Sequence, residues 1–111
     1  MVAPDAAVLR GQIWYADLGL DEDKRVLIVS NNARHRQLGD VVAIRLTSKE
    51  KPDLPSIVRL EPSEMPDHSR SFALADDLWV IEKQWLQRPI GALTPAQMER
   101  VSDALRVALD L

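Results

Sequence analysis

The stretch that decides the fold is Val41-Val42-Ala43-Ile44-Arg45-Leu46-Thr47, seven consecutive residues rich in β-branched and aliphatic side chains. In a strand, successive side chains point to opposite faces of the sheet. Val42, Ile44 and Leu46 therefore share one face, which we expect to be core. Arg45 and Thr47 lie on the other face, which we expect to reach solvent.

Similar patterns on both sides of this stretch predict further strands. Each apolar run is short and is bounded by polar, glycine- or proline-containing segments. The polar run 19–24 suits a hairpin loop, Asn31 can cap a short helical turn through Arg36, and a second turn is expected near residues 83–86. We expect an exposed loop over residues 61–70. The predicted strands are Gln12–Leu18, Val26–Val29, Ser56–Leu60, Ser71–Ala75, Leu78–Ile81 and Ile90–Leu93.

The last element is a helix with a complete start signal. Thr94-Pro95-Ala96-Gln97 places a hydroxyl at the N-cap, a proline at the first helical position and a Gln three residues after the cap. This combination is a capping box. An apolar stripe then recurs at helical spacing and predicts a face that packs on the sheet or on a second subunit. Its members are Met98, Val101, Leu105, Ala108 and Leu109.

Many short strands and one terminal helix predict a mainly β fold with some α structure. We expect a small antiparallel β-barrel with short helices and a C-terminal helix, because closure is how such a sheet removes its edges. No repeat or Gly/Ser-rich linker divides the 111 residues. The prediction is therefore a tail over residues 1–8 and a single domain over residues 9–111.

The composition excludes several classes of protein. The chain has no cysteine, which removes disulfides and thiolate metal sites and fits a reducing compartment. No apolar run reaches the roughly 20 residues that a bilayer crossing needs, and the first residues do not resemble a secretion signal. We therefore expect a cytoplasmic protein with no membrane attachment.

The charge distribution is uneven along the chain. The formal net charge is −3, yet residues 24–51 contain seven Lys or Arg residues against two acidic ones. Such a basic stretch is compatible with a phosphate-facing surface. Charge alone favours the plainer interpretation, which is a set of solvated side chains on different faces.

Known catalytic motifs and metal-ligand spacings are missing from the sequence. There is no Gly-rich phosphate loop, no paired-histidine metal motif and no nucleophile elbow, so neither a metal nor a cofactor is expected. His35 and His68 stand in polar stretches and are expected on the surface. Trp14 is a possible base-stacking residue, although aromatic side chains in strands of a small domain are more often core.

The order of several short segments resembles the MazF/PemK family of toxins. The resemblance covers the chain from about Leu9 to Leu111, and its parts are specific only together. It includes the acidic pair Asp76-Asp77, the run Ile81-Glu82-Lys83 and the capped C-terminal helix. The earlier segments that carry it are Arg10–Trp14, Asp17–Gly19, Val26–Asn31 and Val41–Ser48.

This resemblance implies a fold, an activity and partners. The implied fold is an SH3-like, PemK-type barrel that forms a two-fold homodimer, with single-stranded RNA in the groove at the interface. The implied reaction is sequence-specific, metal-independent RNA cleavage, in which the ribose 2'-oxygen attacks the adjacent phosphate and leaves a 2',3'-cyclic phosphate and a 5'-hydroxyl. The implied partner is a cognate MazE-like antitoxin that neutralises the toxin.

The resemblance also assigns roles to residues. Lys24 and Arg25 stand at the family's Arg-Pro pair, and either can supply the cation that stabilises charge on the phosphoryl oxygens. Thr47 matches a catalytic threonine, and Asp76 matches an acidic position used in acid/base chemistry. The RNA-contact candidates are Trp14, Ser48, Lys49, Lys51 and Arg70.

Two departures and two alternatives accompany this interpretation. The first interstrand loop is short and acidic, and Leu74 stands where some PemK-like members carry a basic catalytic residue. One alternative is a toxin similar to CcdB, which binds DNA gyrase and cuts nothing, although the final helix lacks an aromatic anchor. The other is a catalytically inactive SH3-like module.

Overall fold

The computed structural model describes residues 7–111, and its elements follow the expected order closely. The short helix α1 begins after Asn31, whose side chain accepts a hydrogen bond from the Arg34 backbone N–H at 2.8 Å. Two 3-10 turns, Pro62–Glu64 and Lys83–Trp85, interrupt the second half. The remaining elements are β1 Gln12–Ala16, β2 Lys24–Ile28, α1 Asn32–Gln37, β3 Asp40–Thr47, β4 Ile57–Leu60, β5 Ser71–Glu82, β6 Leu86–Ala92 and α2 Pro95–Leu109.

All six strands form one antiparallel sheet in the order β4-β5-β3-β2-β1-β6. The prediction of two separate strands between residues 71 and 81 is wrong, because β5 is continuous over twelve residues. The break expected between the two strands is instead a β-bulge within β5. Arg45 pairs with Leu74, while its neighbour Ile44 pairs with Leu78. Residues 75–77 are therefore displaced from the ladder, which bends the strand. The last strand also begins earlier than expected, at Leu86.

Apolar side chains are buried on both faces of the sheet. On one face, called the helix face below, Ile13, Leu27 and Ile44 pack with Met98 and other residues of α2. The opposite face, called the Trp14 face, buries a second cluster. That cluster contains Val8, Trp14, Ala16, Val26, Ile28, Val41, Ala43, Ile81 and Leu86.

The expectation for β3 therefore holds only at its C-terminal end. Ile44 and Leu46 are buried on the helix face as predicted, but Val41 and Ala43 are fully buried on the other face. Arg45 and Thr47, further along the same face, are partly exposed. Alternation identified the two faces correctly, but it could not show that other parts of the chain cover the second one.

The C-terminal helix starts as its sequence requires. The Thr94 hydroxyl accepts from the Gln97 backbone N–H at 3.2 Å, and the Gln97 side chain accepts from the Thr94 N–H at 2.8 Å. Met98, Val101 and Ala104 are its buried residues, and the helix packs on β4 and β5. Leu109, expected in the apolar stripe, is instead largely exposed at the end of the helix.

Residues 61–70 bridge the two edges of the sheet. They follow the edge strand β4, and Pro66 lies so close to Gly91 of the other edge strand that an added Cβ would sit 2.5 Å from the proline Cβ. Most of the segment is exposed or partly exposed, as expected for a loop, but Met65 is buried in the core, so the expectation of an exposed loop is wrong at that residue. The hydrogen-bonded sheet itself stays open between β4 and β6, and a closed SH3-like barrel remains a prediction.

The N-terminal residues that the structure describes belong to the packed domain. Residues 1–6 of the expected tail lie outside the described residues, whereas Val8 is buried and its carbonyl accepts a hydrogen bond from the His35 ring at 2.7 Å. His35 is only 3% exposed, so its expected place on the surface is wrong. Within residues 7–111, neither helix has the length and apolar character needed to span a bilayer.

Candidate active site

The register of β2 and β3 determines which candidate residues face each other. Val26 pairs with Arg45 and Ile28 with Ala43. Side chains alternate between the faces along each strand, so Lys24 projects to the same face as Val26, and Thr47 to the same face as Arg45. Lys24 and Thr47 thus share the Trp14 face at one end of the sheet.

The Lys24 ammonium and the Thr47 hydroxyl both keep hydrogen-bond donors available for a ligand. Lys24 is partly exposed, and its ammonium forms a 3.4 Å ion pair with Glu22, a highly exposed carboxylate that contributes little binding energy. The Thr47 hydroxyl oxygen accepts a hydrogen bond from the Lys49 backbone N–H at 3.1 Å. That acceptor role leaves the hydroxyl proton free to be donated.

Arg25 lies on the other face and has a different environment. Its guanidinium donates to Ser71 at 2.7 Å and Ser69 at 3.0 Å, and it pairs with Asp67 at 3.2 Å. Its side chain is only 10% exposed. We call Arg25, Asp67, Ser69 and Ser71 the Arg25 clamp. The clamp ties β2 to the segment that precedes β5.

The clamp also sets the ionisation of its carboxylate. Partial burial opposes charging of Asp67, yet the hydroxyl and backbone N–H of Ser69 and the charge of Arg25 together hold its pKa below the usual value. Asp67 therefore stays ionised and keeps Arg25 engaged. A guanidinium held in this way is poorly placed to act on a phosphate bound beside Thr47.

The acidic pair of β5 sits in the bulge. Asp76 is exposed there. Its neighbour Asp77 contacts two residues of the Trp14 face: it accepts from the Trp79 indole N–H at 2.9 Å and lies 3.7 Å from the Arg45 guanidinium. Neither Arg45 nor Asp77 was predicted as a site residue from the sequence, although the alternation Arg45-x-Thr47 was a usable signal.

Four of the five candidate RNA-contact residues lie near the C-terminal end of β3. Ser48 and Lys49 are exposed just after β3, and Arg70 pairs with Glu50 of the same loop at 3.2 Å. Lys51 lines a cavity of about 220 Å³ whose wall includes Phe72, the ladder partner of Thr47. These four residues therefore surround the end of β3.

Trp14 differs from the other candidates because it is 2% exposed within the Trp14 face. Its indole N–H donates to the Gln12 side chain at 3.0 Å. A ring buried in this way offers no face for a base to stack on. The sequence pattern could not separate this core role from a binding role.

Comparisons with known proteins assign the chain to a family. Residues 9–109 match the model of PemK-like, MazF-like toxins of type II toxin-antitoxin systems. The chain belongs to this family of toxins.

Individual relatives align with this chain over nearly its whole length. The chain is 42% identical over 105 residues to Endoribonuclease MazF4 of Mycobacterium tuberculosis, covering 95% of both chains. A solved endoribonuclease in complex with its cognate antitoxin, from a mycobacterial species, superposes with a TM-score of 0.85 at 42% identity and covers 95% of this chain and 97% of its own. A second mycobacterial endoribonuclease structure gives a TM-score of 0.84 at 40% identity, covering 96% of this chain and 94% of its own.

Proposed function

We propose that this toxin is an endoribonuclease that cleaves single-stranded RNA at a specific sequence and is neutralised by a cognate MazE-like antitoxin. The relatives named above as endoribonucleases support the activity, and one of them was solved with its antitoxin. The observation that carries the site is the shared face of Lys24 and Thr47. It combines a cation and a hydroxyl donor at one end of the sheet.

The proposed reaction needs no covalent enzyme intermediate. The ribose 2'-oxygen loses its proton and attacks the adjacent phosphorus, while the bond to the leaving 5'-oxygen breaks and that oxygen takes up a proton. The products are a 2',3'-cyclic phosphate and a 5'-hydroxyl. Lys24 stabilises negative charge on the phosphoryl oxygens, and the Thr47 hydroxyl donates a hydrogen bond to the same group.

Proton transfer is assigned to Asp76. This carboxylate is exposed in the bulge next to the residue that contacts Arg45. An ionised carboxylate within reach of the 2'-hydroxyl acts as a general base. No metal or cofactor takes part in this scheme. Arg25, by contrast, is assigned to the clamp because its Nη1 group is engaged there and its side chain lies on the other face of the sheet.

RNA binding is assigned to the surface around the end of β3. Lys49, Lys51 and Arg70 supply positive charge there, and the Ser48 hydroxyl adds a hydrogen-bond donor. The acidic loop 21–23 next to Lys24 disfavours additional phosphates on that side, so the RNA runs mainly towards the β3–β4 loop. Trp14 is left out of this surface because it is buried.

The proposed assembly is a homodimer in the cytoplasm, where its RNA substrate is found. The groove between the two subunits takes the RNA, and the antitoxin tail occupies the same groove. An antitoxin tail that is disordered when free can cover such an extended surface by folding on binding.

The test is cleavage of a long single-stranded RNA by the purified protein in EDTA. We expect cuts at a short fixed sequence that leave 5'-hydroxyl ends. Thr47→Ala and Lys24→Ala should each lower kcat by about 100-fold or more, while Thr47→Ser should retain most of it. Arg106→Gln, on an exposed part of α2, is the matched control.

Two outcomes would contradict the proposal. RNA left intact, with toxicity retained in cells, would favour a gyrase-binding toxin of the CcdB type. Cleavage that disappears in EDTA and returns with Mg²⁺ would refute the metal-free reaction while leaving the nuclease in place.

A further inference from the structure

Arg45 has an unusual environment among the charged residues of the sheet. It pairs with Val26 on one side and with Leu74 on the other, so apolar neighbours flank it on both strands. Its Nε atom is buried and has no hydrogen-bond partner within residues 7–111. A buried polar group left without a partner is destabilising, and such a group calls for an explanation.

The contact between Arg45 and Asp77 does not satisfy this guanidinium. Their closest nitrogen–oxygen distance is 3.7 Å, which is an ion pair but too long for a hydrogen bond. Arg25, in contrast, forms three short contacts within its clamp. Asp77 balances the charge of Arg45 without occupying its donors.

Nε itself is buried, so the outer Nη groups are the part of the Arg45 guanidinium that lies beside the proposed active site. Arg45 lies two residues before Thr47 on the same strand and the same face, and its side chain is 28% exposed. Residues two apart along a strand are about 6.7 Å from each other. A guanidinium spans that gap easily, and its planar donors fit two oxygens of one phosphate.

We infer that Arg45 is a second cation of this active site and contacts the phosphoryl oxygens of the RNA linkage that is cut. The inference rests on the proposed nuclease function and adds a residue to it. No covalent bond is made to Arg45 in this role. Leu74 is the direct ladder partner of Arg45, so the residue beside it on the neighbouring strand is apolar and offers no hydrogen bond to the guanidinium.

Asp77 has a supporting role in this arrangement. In the free protein it holds the Arg45 guanidinium close to the site and offsets its charge. It is itself held by the Trp79 indole N–H. When a phosphate arrives, the loose ion pair can be exchanged for shorter, bidentate hydrogen bonds at small cost.

The experiment measures single-turnover cleavage and RNA binding for Arg45→Gln, Arg45→Lys and the control Arg106→Gln. We expect Arg45→Gln to lower kcat by about 100-fold, Arg45→Lys to recover part of the loss, and the control to match wild type. Thermal unfolding identifies any variant that fails to fold, and Arg45→Lys keeps the charge if Arg45→Gln does not fold.

A second readout does not depend on activity. Binding to a 2'-O-methylated single-stranded RNA pool, which cannot be cleaved, is measured over a range of salt concentrations. Loss of one phosphate contact should reduce the slope of log K against log salt by about 0.7 in Arg45→Gln, whereas Arg45→Lys and Arg106→Gln should keep the wild-type slope.

The two proposals fail in different ways. A kcat of Arg45→Gln within threefold of wild type, or an unchanged salt slope, would overturn the inference about Arg45 while the nuclease proposal survives. Wild-type protein that cuts no RNA, with the salt slope still reduced in Arg45→Gln alone, would remove the nuclease proposal and leave the phosphate contact standing.

Discussion

Arg25 reaches the hydroxyl of Ser71 at 2.7 Å, although strand β3 lies between the two strands that carry them. The contact is possible because β3 ends at Thr47, and Ser71 begins β5. Ser71 is fully buried, so the guanidinium satisfies a hydroxyl that water does not reach. The residue that the family pattern left as an alternative catalytic cation is therefore part of the structure's internal support.

The first prediction concerns the stability that the Arg25 clamp provides. Arg25→Ala should lower the free energy of unfolding by about 1–3 kcal/mol, because Asp67 loses its ion-pair partner and the buried Ser71 hydroxyl loses its guanidinium donor, although both keep their contacts with Ser69. Urea denaturation measures this loss. Arg36→Ala, on the exposed side of α1, is the control and should change stability by less than about 0.5 kcal/mol. Equal stability of the two variants would show that the clamp is not a structural support.

The second prediction separates Lys24 from Arg25. Lys24→Gln should lose most of its kcat while its Tm stays near that of wild type, since among residues 7–111 Lys24 forms only one exposed ion pair. Lys24→Arg should retain activity because the charge is kept. Single-turnover cleavage and thermal unfolding are measured on the same preparations.

The reverse pattern would move the catalytic cation to the other residue. Arg25→Lys variants that lose kcat at unchanged Tm, together with fully active Lys24→Gln, would contradict the assignment made from the β2–β3 register. Because these neighbouring residues point to opposite faces of β2, the same RNA phosphate cannot depend equally on both.

Features set by nearby residues could be predicted from the sequence. The predicted N-terminus of α2 is confirmed, because all parts of its capping box lie within Thr94–Gln97. The strand at Val41–Thr47 and its division into two faces were correct for the same reason, since alternation is a local property, whereas the burial of Val41 and Ala43 was missed. The family resemblance supplied Lys24 and Thr47, and the register brings them to one face.

Features that depend on distant partners could not be predicted. The partner of Arg25 is 46 residues away at Ser71, and nothing in the local pattern indicates it. Whether β5 breaks or bulges at residues 75–77 depends on its pairing with β3. His35 looks like a surface residue because its local neighbours are polar, while the carbonyl that its buried ring contacts, that of Val8, precedes it by 27 residues.

The third prediction follows from the burial of His35. Burial lowers its pKa and outweighs the raising effect of the hydrogen bond to Val8, and the nearby charges of Lys83 and Arg34 lower it further. The unfolded chain therefore binds a proton at higher pH than the folded protein does. Stability is fully present above the unfolded pKa of about 6.5 and falls as the pH drops through the lower, folded value.

Denaturant unfolding at several pH values between about 7.5 and 5 tests this pH dependence. We expect wild type to lose stability on acidification and His35→Gln to lose markedly less over the same range. His68→Gln, at an exposed histidine, is the matched control and should follow wild type. A His35→Gln curve parallel to that of wild type would assign the pH dependence to other groups.

The fourth prediction tests how the two edges of the sheet are held together. In Gly91→Ala the new methyl group would lie 2.5 Å from Pro66 Cβ, a distance that real carbon atoms do not adopt, so the loop over residues 61–70 must shift. We expect a loss of about 1–3 kcal/mol from this overpacking and faster amide exchange in that loop. Gly39→Ala is the matched control, because a Cβ there meets nothing within 4 Å.

If Gly91→Ala were as stable as Gly39→Ala and amide exchange in the loop stayed slow, the contact between Pro66 and Gly91 would not be what joins the two edges of the sheet. The loop would then depend on Met65 in the core and on the Arg25 clamp alone, and combining Gly91→Ala with Arg25→Ala would cost no more than Arg25→Ala by itself.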